Sequence, residues 1–266
     1  MTAIFVNLPV TDLERAKAFY TAVGLTINPQ MSDHNAACFI VEEDHSYVMV
    51  LLREGWPLDQ VTVLVGDNGA GKSTLVEAVA MMFGMGAEGG STGSRHATRR
   101  SESELWRYLR LEREIGAPRS GFFLRAETMH SFYSYLEDNP GRRPEPVFHE
   151  MSHGESFLAL VTERMKPRYP GLFLLDEPES ALSFTGCLAL VSHLTTLVRT
   201  TPSQVLLSTH SPVLAAIPGA TIYEVGEWGL RLCDWDSLEL VQRYRGFLDD
   251  PRRYLRHVIE DPSWLG

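Results

Sequence analysis

The stretch Gly66-Asp67-Asn68-Gly69-Ala70-Gly71-Lys72-Ser73-Thr74 decides the fold. An apolar strand, Val61 to Val65, precedes it and a helical segment follows, so strand, glycine-rich loop and helix come in that order. Glycines let the backbone curl until successive N–H groups face one point, and the helix adds its positive N-terminal end. That point suits a phosphate. In such a loop the residue at Lys72 spans the β- and γ-phosphates of a nucleotide, and the Ser73 hydroxyl ligates Mg²⁺. The plainer reading, a glycine-rich turn that binds nothing, leaves the Lys-Ser-Thr run and its flanking strand and helix without a purpose.

Beyond the loop, short buried strands alternate with longer helical stretches, the signature of an α/β fold with a mainly parallel sheet covered by helices. Strands are expected at Gly121 to Leu124, Leu172 to Leu175, Gln204 to Ser208 and Thr221 to Val225. In Phe173-Leu174-Leu175-Asp176-Glu177-Pro178 an apolar strand ends in two carboxylates, where a parallel sheet delivers groups to its ligand. Asp176 is placed to hold Mg²⁺ through water. Glu177, one residue on, points to the other side of the strand end, where a carboxylate polarises an attacking water. A cap for the next helix is the alternative, and the loop upstream weighs against it. His210, in Ser208-Thr209-His210-Ser211-Pro212, follows another buried strand and is placed to contact the γ-phosphate and that water. Gly84 to Ser103, rich in Gly, Ser and Arg, reads as a long mobile loop.

Composition narrows the class. With 44% hydrophobic and 22% charged residues the chain is a folded globular one. No apolar run approaches the ~20 residues of a bilayer span, and Met1 to Val10 lacks the parts of a secretory leader, so a cytoplasmic protein is expected. Cys38, Cys187 and Cys233 are widely separated and suggest neither disulfide nor zinc; all three read as buried thiols. A net charge of −10 weighs against non-specific binding to nucleic acid. One basic cluster exists, Arg95, Arg99, Arg100, Arg107, Arg110 and Arg113, and it reads first as a solvated helix face and second as a nucleic-acid surface.

The first segment has its own rhythm. Period-two runs at Ile4, Val6 and Leu8, at Cys38 and Ile40, and at Val48, Val50 and Leu52 read as strands, with a polar hairpin turn from Glu42 to Ser46. Between the first two lies a helix. Asp12 caps it, Leu13, Ala16, Phe19, Tyr20 and Val23 form its apolar face, and Gly24 ends it.

Taken together, the loop, the acidic strand end and the histidine resemble the ABC-type P-loop ATPases, and Phe148-His149-Glu150-Met151-Ser152-His153-Gly154-Glu155-Ser156 is similar to that family's signature. The family sequence there is Leu-Ser-Gly-Gly-Gln; Ser152 and Gly154 match, whereas Met151, His153 and Glu155 depart. The resemblance implies a helix over Glu155 to Met165 whose N-terminus meets the γ-phosphate held by a second subunit, with an acid at Glu155 weakening that attraction. Ser180-Ala181-Leu182-Ser183 resembles the D-loop. At the expected Q-loop, after the strand at Gly121 to Leu124, Arg125-Ala126-Glu127 stands without a glutamine, leaving Glu127 as the stand-in. From Gln60 onward the chain is similar to stand-alone bacterial ATPases of the AAA type that carry Phe-Leu-Arg-Ala-Glu, Ser-His-Gly-Glu-Ser and Ala-Thr-His-Ser-Pro-like motifs. About 80 residues separate Lys72 from Ser152, too few for the long coiled coil of chromosome-condensation and break-repair relatives.

Ala3 to Arg53 instead resembles the βαβββ half-module of the vicinal oxygen chelate family, which includes glyoxalases and bleomycin-resistance proteins, on Val10 to Tyr20 and Gly24-Leu25. That family pairs two such modules, and Asn7 stands where metal-binding members carry a first-strand histidine. His34 and His45 read as turn residues rather than ligands.

The resulting division is residues 1–53 as half-module, 54–59 as junction and 60–266 as ATPase domain, a chimera joined near Arg53 to Leu58. The function expected is Mg²⁺-dependent ATP hydrolysis by a head-to-tail homodimer that forms when ATP is bound, with ATP and Mg²⁺ as ligands and no membrane partner. Two rivals stand beside it: a small-molecule or metal-binding module of glyoxalase type, and a hybrid that does neither. Tyr47 and Trp56 are the aromatic residues considered for stacking on adenine.

Overall fold

The computed structural model describes residues 4–10, 13–32, 36–42, 46–52, 59–92, 103–109, 111, 113, 117–129, 133, 151–256 and 258. The chain divides into two compact units, Met1–Pro57 and Leu58–Gly266.

The first unit runs β1 (Ile4–Val10), α1 (Leu13–Ala22), β2 (Thr26–Asn28), β3 (Ala36–Glu42) and β4 (Ser46–Leu52), the βαβββ order read from the sequence. Its sheet has the order β1-β4-β3-β2, with β1 and β4 parallel and the remaining pairs antiparallel. Glycine is required where α1 stops, because Gly24 takes φ 97° to turn the chain back toward β2. Leu13 and Ala16 pack on Ala37 and Phe39, with Tyr20 half-buried beside them. The expected apolar stripe is narrower than drawn: Phe19 and Val23 are exposed. At about 100° per residue, Phe19 lies roughly 120° around the helix from Leu13, beyond the arc that a small sheet covers. Asp12, His34 and His45 lie outside the described residues.

In the second unit seven strands form one sheet in the order β11-β10-β5-β9-β8-β7-β6. These are β5 (Val61–Val65), β6 (Gly90–Ser91), β7 (Gly121–Arg125), β8 (Leu172–Asp176), β9 (Gln204–Thr209), β10 (Thr221–Gly226) and β11 (Gly229–Leu232). The five central strands are parallel, and β6 and β11 join antiparallel at the edges. Strands buried on both faces carry mainly apolar runs rather than alternation, as Val61 to Val65, broken only by the buried Thr62, and Leu172 to Leu175 do. The helices are α2 (Lys72–Phe83), α3 (His153–Arg164), α4 (Phe184–Thr200), α5 (Pro212–Ala215), α6 (Glu239–Asp249) and α7 (Pro251–Leu255). On α4 the buried residues Cys187, Leu190, Leu194 and Leu197 recur every three or four positions, and they join Phe157, Leu160 and Val161 of α3 in one core with the sheet.

Two expectations change. The segment after Gly84 is no free loop in its described part: Gly90 and Ser91 pair with Phe123 and Phe122, and Met85 and Ala87 are buried. Cys233 is only half-buried, unlike Cys38 and Cys187, because it follows the exposed edge strand β11.

Register positions the site. Val65 pairs with Thr209, Asp176 with Ser208 and Arg125 with Asp176, so four neighbouring strands end level with one another. Whatever follows each strand lands on one edge of the sheet. The packing behind that edge holds it there: Leu194→Ala, which empties a fully buried position, is expected to lower the stability of this unit by about 2–5 kcal/mol in urea unfolding.

Candidate functional site

The loop after β5 begins with a close approach. A Cβ added at Gly66 would sit 2.3 Å from the Val225 carbonyl oxygen, so only glycine lets the loop leave β5 against β10. Gly69 and Gly71 follow with φ 80° and 96°, and nothing lies within 4 Å of where their Cβ atoms would be. That open space above a curled backbone is a cradle. Lys72 opens α2 and is only 3% exposed. Its Nζ donates to the Gly66 carbonyl at 2.9 Å and the Asp67 carbonyl at 3.1 Å, and lies 2.9 Å from His210 Nε2. Burial pulls the Lys72 ammonium below the ordinary lysine range, while the carboxylates of Glu177, Asp176, Glu179 and Asp67 pull the other way. The cation therefore holds its charge at a desolvation cost, a cost that a phosphate anion would offset.

Asp176 ends β8 at 4% exposure. Ser208 Oγ donates to its Oδ1, and Arg125 Nε lies 3.3 Å from its Oδ2. The same guanidinium reaches back to α2, with Nη1 2.9 Å from Glu77 Oε2. Arg125 thus bridges the strand carboxylate and the helix behind the loop. Glu127 Oε2 lies 3.9 Å from Arg125 Nε, and its side chain is 78% exposed.

Glu177 diverges from Asp176 by a route that strand alternation does not supply. It is the one non-glycine residue with positive φ among the described residues, at φ 49° and ψ 51°. A left-handed residue costs roughly 1–2 kcal/mol, and the following Pro178 makes helical backbone less favourable still. The turn brings Glu177 Oε1 to 3.0 Å from His210 Nε2. Lys72 Nζ and Glu177 Oε1 thus meet the same ring nitrogen. One nitrogen serves one of them at a time: unprotonated, it accepts from Lys72, and carrying hydrogen, it donates to Glu177. Glu179 fixes the backbone at His210, because its Oε1 accepts from the His210 backbone N–H. Its Oε2 is buried with no hydrogen-bond partner among the described residues.

At the signature segment, Ser152 is the N-cap of α3. Its Oγ donates to Glu155 Oε2 at 2.6 Å and accepts from the Glu155 N–H at 3.4 Å, and its own N–H donates to Glu155 Oε2 at 3.0 Å. This is a capping box. The Ser152 hydroxyl and N–H hold the Glu155 carboxyl below the ordinary range. The acid that looked out of place beside a phosphate is folded back to close its own helix. A Cβ on Gly154 would lie 3.3 Å from the Ala181 carbonyl oxygen, so α3 begins packed against the turn after Glu177. Phe148, His149 and Glu150 lie outside the described residues.

Residues 61–129 and 124–216 match the family described as "AAA domain, putative AbiEii toxin, Type IV TA system". The chain belongs to this family. Its larger unit is an AAA-type P-loop ATPase domain. Residues 2–42 match "Bleomycin resistance protein-like N-terminal". No curated protein matches the chain. Among solved structures it is similar to the SMC head domain from Thermotoga maritima, at 17% identity over 66% of this chain and 91% of that one, with a TM-score of 0.38. It is also similar to an inward-facing "putative metal-chelate type ABC transporter", at 18% identity over 67% and 72%, with a TM-score of 0.39. No described helix is long and apolar enough to cross a membrane.

Of the residues singled out in the sequence, Lys72, Glu177 and His210 come together within hydrogen-bonding distance, and Asp176, next to Glu177 in the chain, is held separately by Ser208 and Arg125. Ser73 lies in the first turn of α2, and Ser152 and Gly154 lie at the start of α3. Of the basic cluster, Arg107 and Arg113 are described, and both lie over aromatic rings, Trp106 and Phe83. Arg95, Arg99, Arg100 and Arg110 lie outside the described residues, as do Trp56 and the Tyr47 side chain. Sequence reading assigned no role to Arg125, quoted only as part of Arg125-Ala126-Glu127, and none to Glu77 or Glu179. The only available signal was a charged residue at the end of an apolar strand. Arg125→Ala leaves Glu77 and Asp176 without their shared cation, and it is expected to destabilise the unit by roughly 3–5 kcal/mol in chemical unfolding. Arg125→Lys should recover little, because an ammonium cannot span both carboxylates.

Proposed function

We propose that the chain binds and hydrolyses ATP at the loop Gly66 to Thr74, with Lys72, Glu177 and His210 as its working side chains. The observation that carries this reading is the convergence of a buried lysine, an imidazole and a carboxylate beside a glycine cradle open to a phosphate. Lys72 directs its hydrogens at the Gly66 and Asp67 carbonyls and at His210. The β- and γ-phosphates replace those acceptors with stronger, charged ones. His210 Nε2 is then released from Lys72 and pairs with Glu177 or with the γ-phosphate. Glu177, 32% exposed, takes a proton from the attacking water while the imidazole fixes its orientation.

Ser73 and Asp176 offer hard oxygen donors, and no group of three or more His, Cys, Asp or Glu that could hold a metal is present among the described residues. That donor set fits Mg²⁺, which keeps waters and phosphate oxygens as most of its ligands. The ion would neutralise charge building on the phosphate oxygens.

The homodimer belongs to the same proposal. The capped N-terminus of α3, with Ser152 and Gly154, is the helix end that would meet the γ-phosphate on a second copy. Lys72→Ala is expected to abolish ATP binding by calorimetry, and unchanged affinity refutes the loop assignment. Glu177→Gln should bind ATP yet turn it over at least ~100-fold more slowly. With Mg²⁺-ATP it should run as a dimer by light scattering, and adding Ser152→Arg should return it to monomer. A Glu177→Gln protein that stays monomeric at saturating ATP rules out the paired mechanism.

A further inference from the structure

A cavity of about 640 Å³ opens beside the phosphate loop on the β10 side of β5, opposite the side that carries Asp176. Its size falls within the ~300–1,000 Å³ of small-molecule sites. The loop itself forms one wall, the β10–β11 hairpin with Trp228 another, and Glu239 and Arg243 of α6 the third. Trp228 sits at the hairpin turn with 56% of its surface exposed, a large aromatic left open in a cavity next to a phosphate cradle.

The indole is fixed. A Cβ on Gly226 would fall 2.6–2.8 Å from three of its ring atoms, so only glycine lets the ring lie against this backbone. The Arg231 guanidinium stands 4.5 Å from the ring centroid, and Arg231 is itself held by the buried Glu224. Glu224 also accepts from the Glu239 N–H at 3.4 Å, tying the hairpin to α6. From α6, Arg243 pairs with Glu239 at 2.5 Å and approaches Asp67 of the loop at 3.7 Å. Hairpin, helix and loop are thus cross-linked around the opening.

The polarity of the ligand follows from the two sides of the loop. Lys72 and Glu177 mark the γ-phosphate end, with His210 between them and also on the wall of the cavity, so the other end of a nucleotide leaves the loop toward β10. We infer that this cavity is the base site, in which Trp228 stacks on the base of the nucleoside triphosphate whose phosphates lie on the loop. The inference rests on the reading of that loop as the ATP site. It also places the aromatic partner of the base in the C-terminal hairpin rather than at Tyr47 or Trp56.

Calorimetry with two probes, Mg²⁺-ATP and inorganic tripolyphosphate, separates the base site from the phosphate site. Wild type should bind ATP at least about tenfold more tightly than tripolyphosphate, the scale that stacking a base on an aromatic side chain supports. Trp228→Ala should lose about tenfold in ATP affinity with tripolyphosphate binding unchanged, and Trp228→Phe should recover most of the loss. Equal losses for both probes, or an unchanged affinity for ATP, would overturn the base site. If wild type binds neither probe, the loop assignment itself falls, and the base site falls with it.

Discussion

Everything at the working edge of this molecule depends on keeping charge where water is scarce. Lys72, Asp176 and Glu77 are all buried, where a charge without a partner is costly. Their partners are other residues of the same edge: backbone carbonyls and an imidazole for the lysine, a serine hydroxyl and an arginine for the aspartate, and the same arginine for the glutamate. The parallel sheet makes this possible, because strands ending in register bring residues far apart in sequence to within one side chain's reach. A buried pair of this kind adds little net stability over an apolar replacement, so its presence argues for a use.

The same economy explains two departures from the ABC pattern. Where a glutamine would follow the signature glycines, Glu155 closes a capping box on Ser152, and the acid serves the helix that carries it. Where a glutamine would follow β7, Glu127 stands with its side chain exposed, 3.9 Å from Arg125, the last residue of β7, which itself pairs with Asp176. Both substitutions insert a charge, and both charges are answered within the chain. Neither leaves an unpaired ion facing a phosphate.

How much of this was legible in the residues differs by element. The five parallel strands could be read because each holds a short apolar run, interrupted only at Thr62 in β5 and at Glu224 in β10, and the loop because each of its glycines has a physical reason. The edge strands could not. β6 is Gly90-Ser91, with no alternation to detect, and β11 is exposed along its length. Arg125 was hidden for a related reason: a charge at a strand end looks the same whether it faces solvent or a buried carboxylate, and only the register with Asp176 distinguishes them. Ser152 and Glu155 were visible as a Ser-x-x-Glu pair, yet a capping box and a phosphate-facing signature make the same demand on the serine.

The backbone at Glu177 carries one further implication. Its left-handed conformation suits glycine or asparagine better than glutamate, so a search for stabilising substitutions would be drawn to this position. Either replacement would relax the turn and remove the carboxylate that faces His210. On the proposed reading of Glu177 as the group that activates water, a sequence optimised for folding alone would drift toward an inert protein, and glutamate at this position would register selection for turnover against thermal robustness.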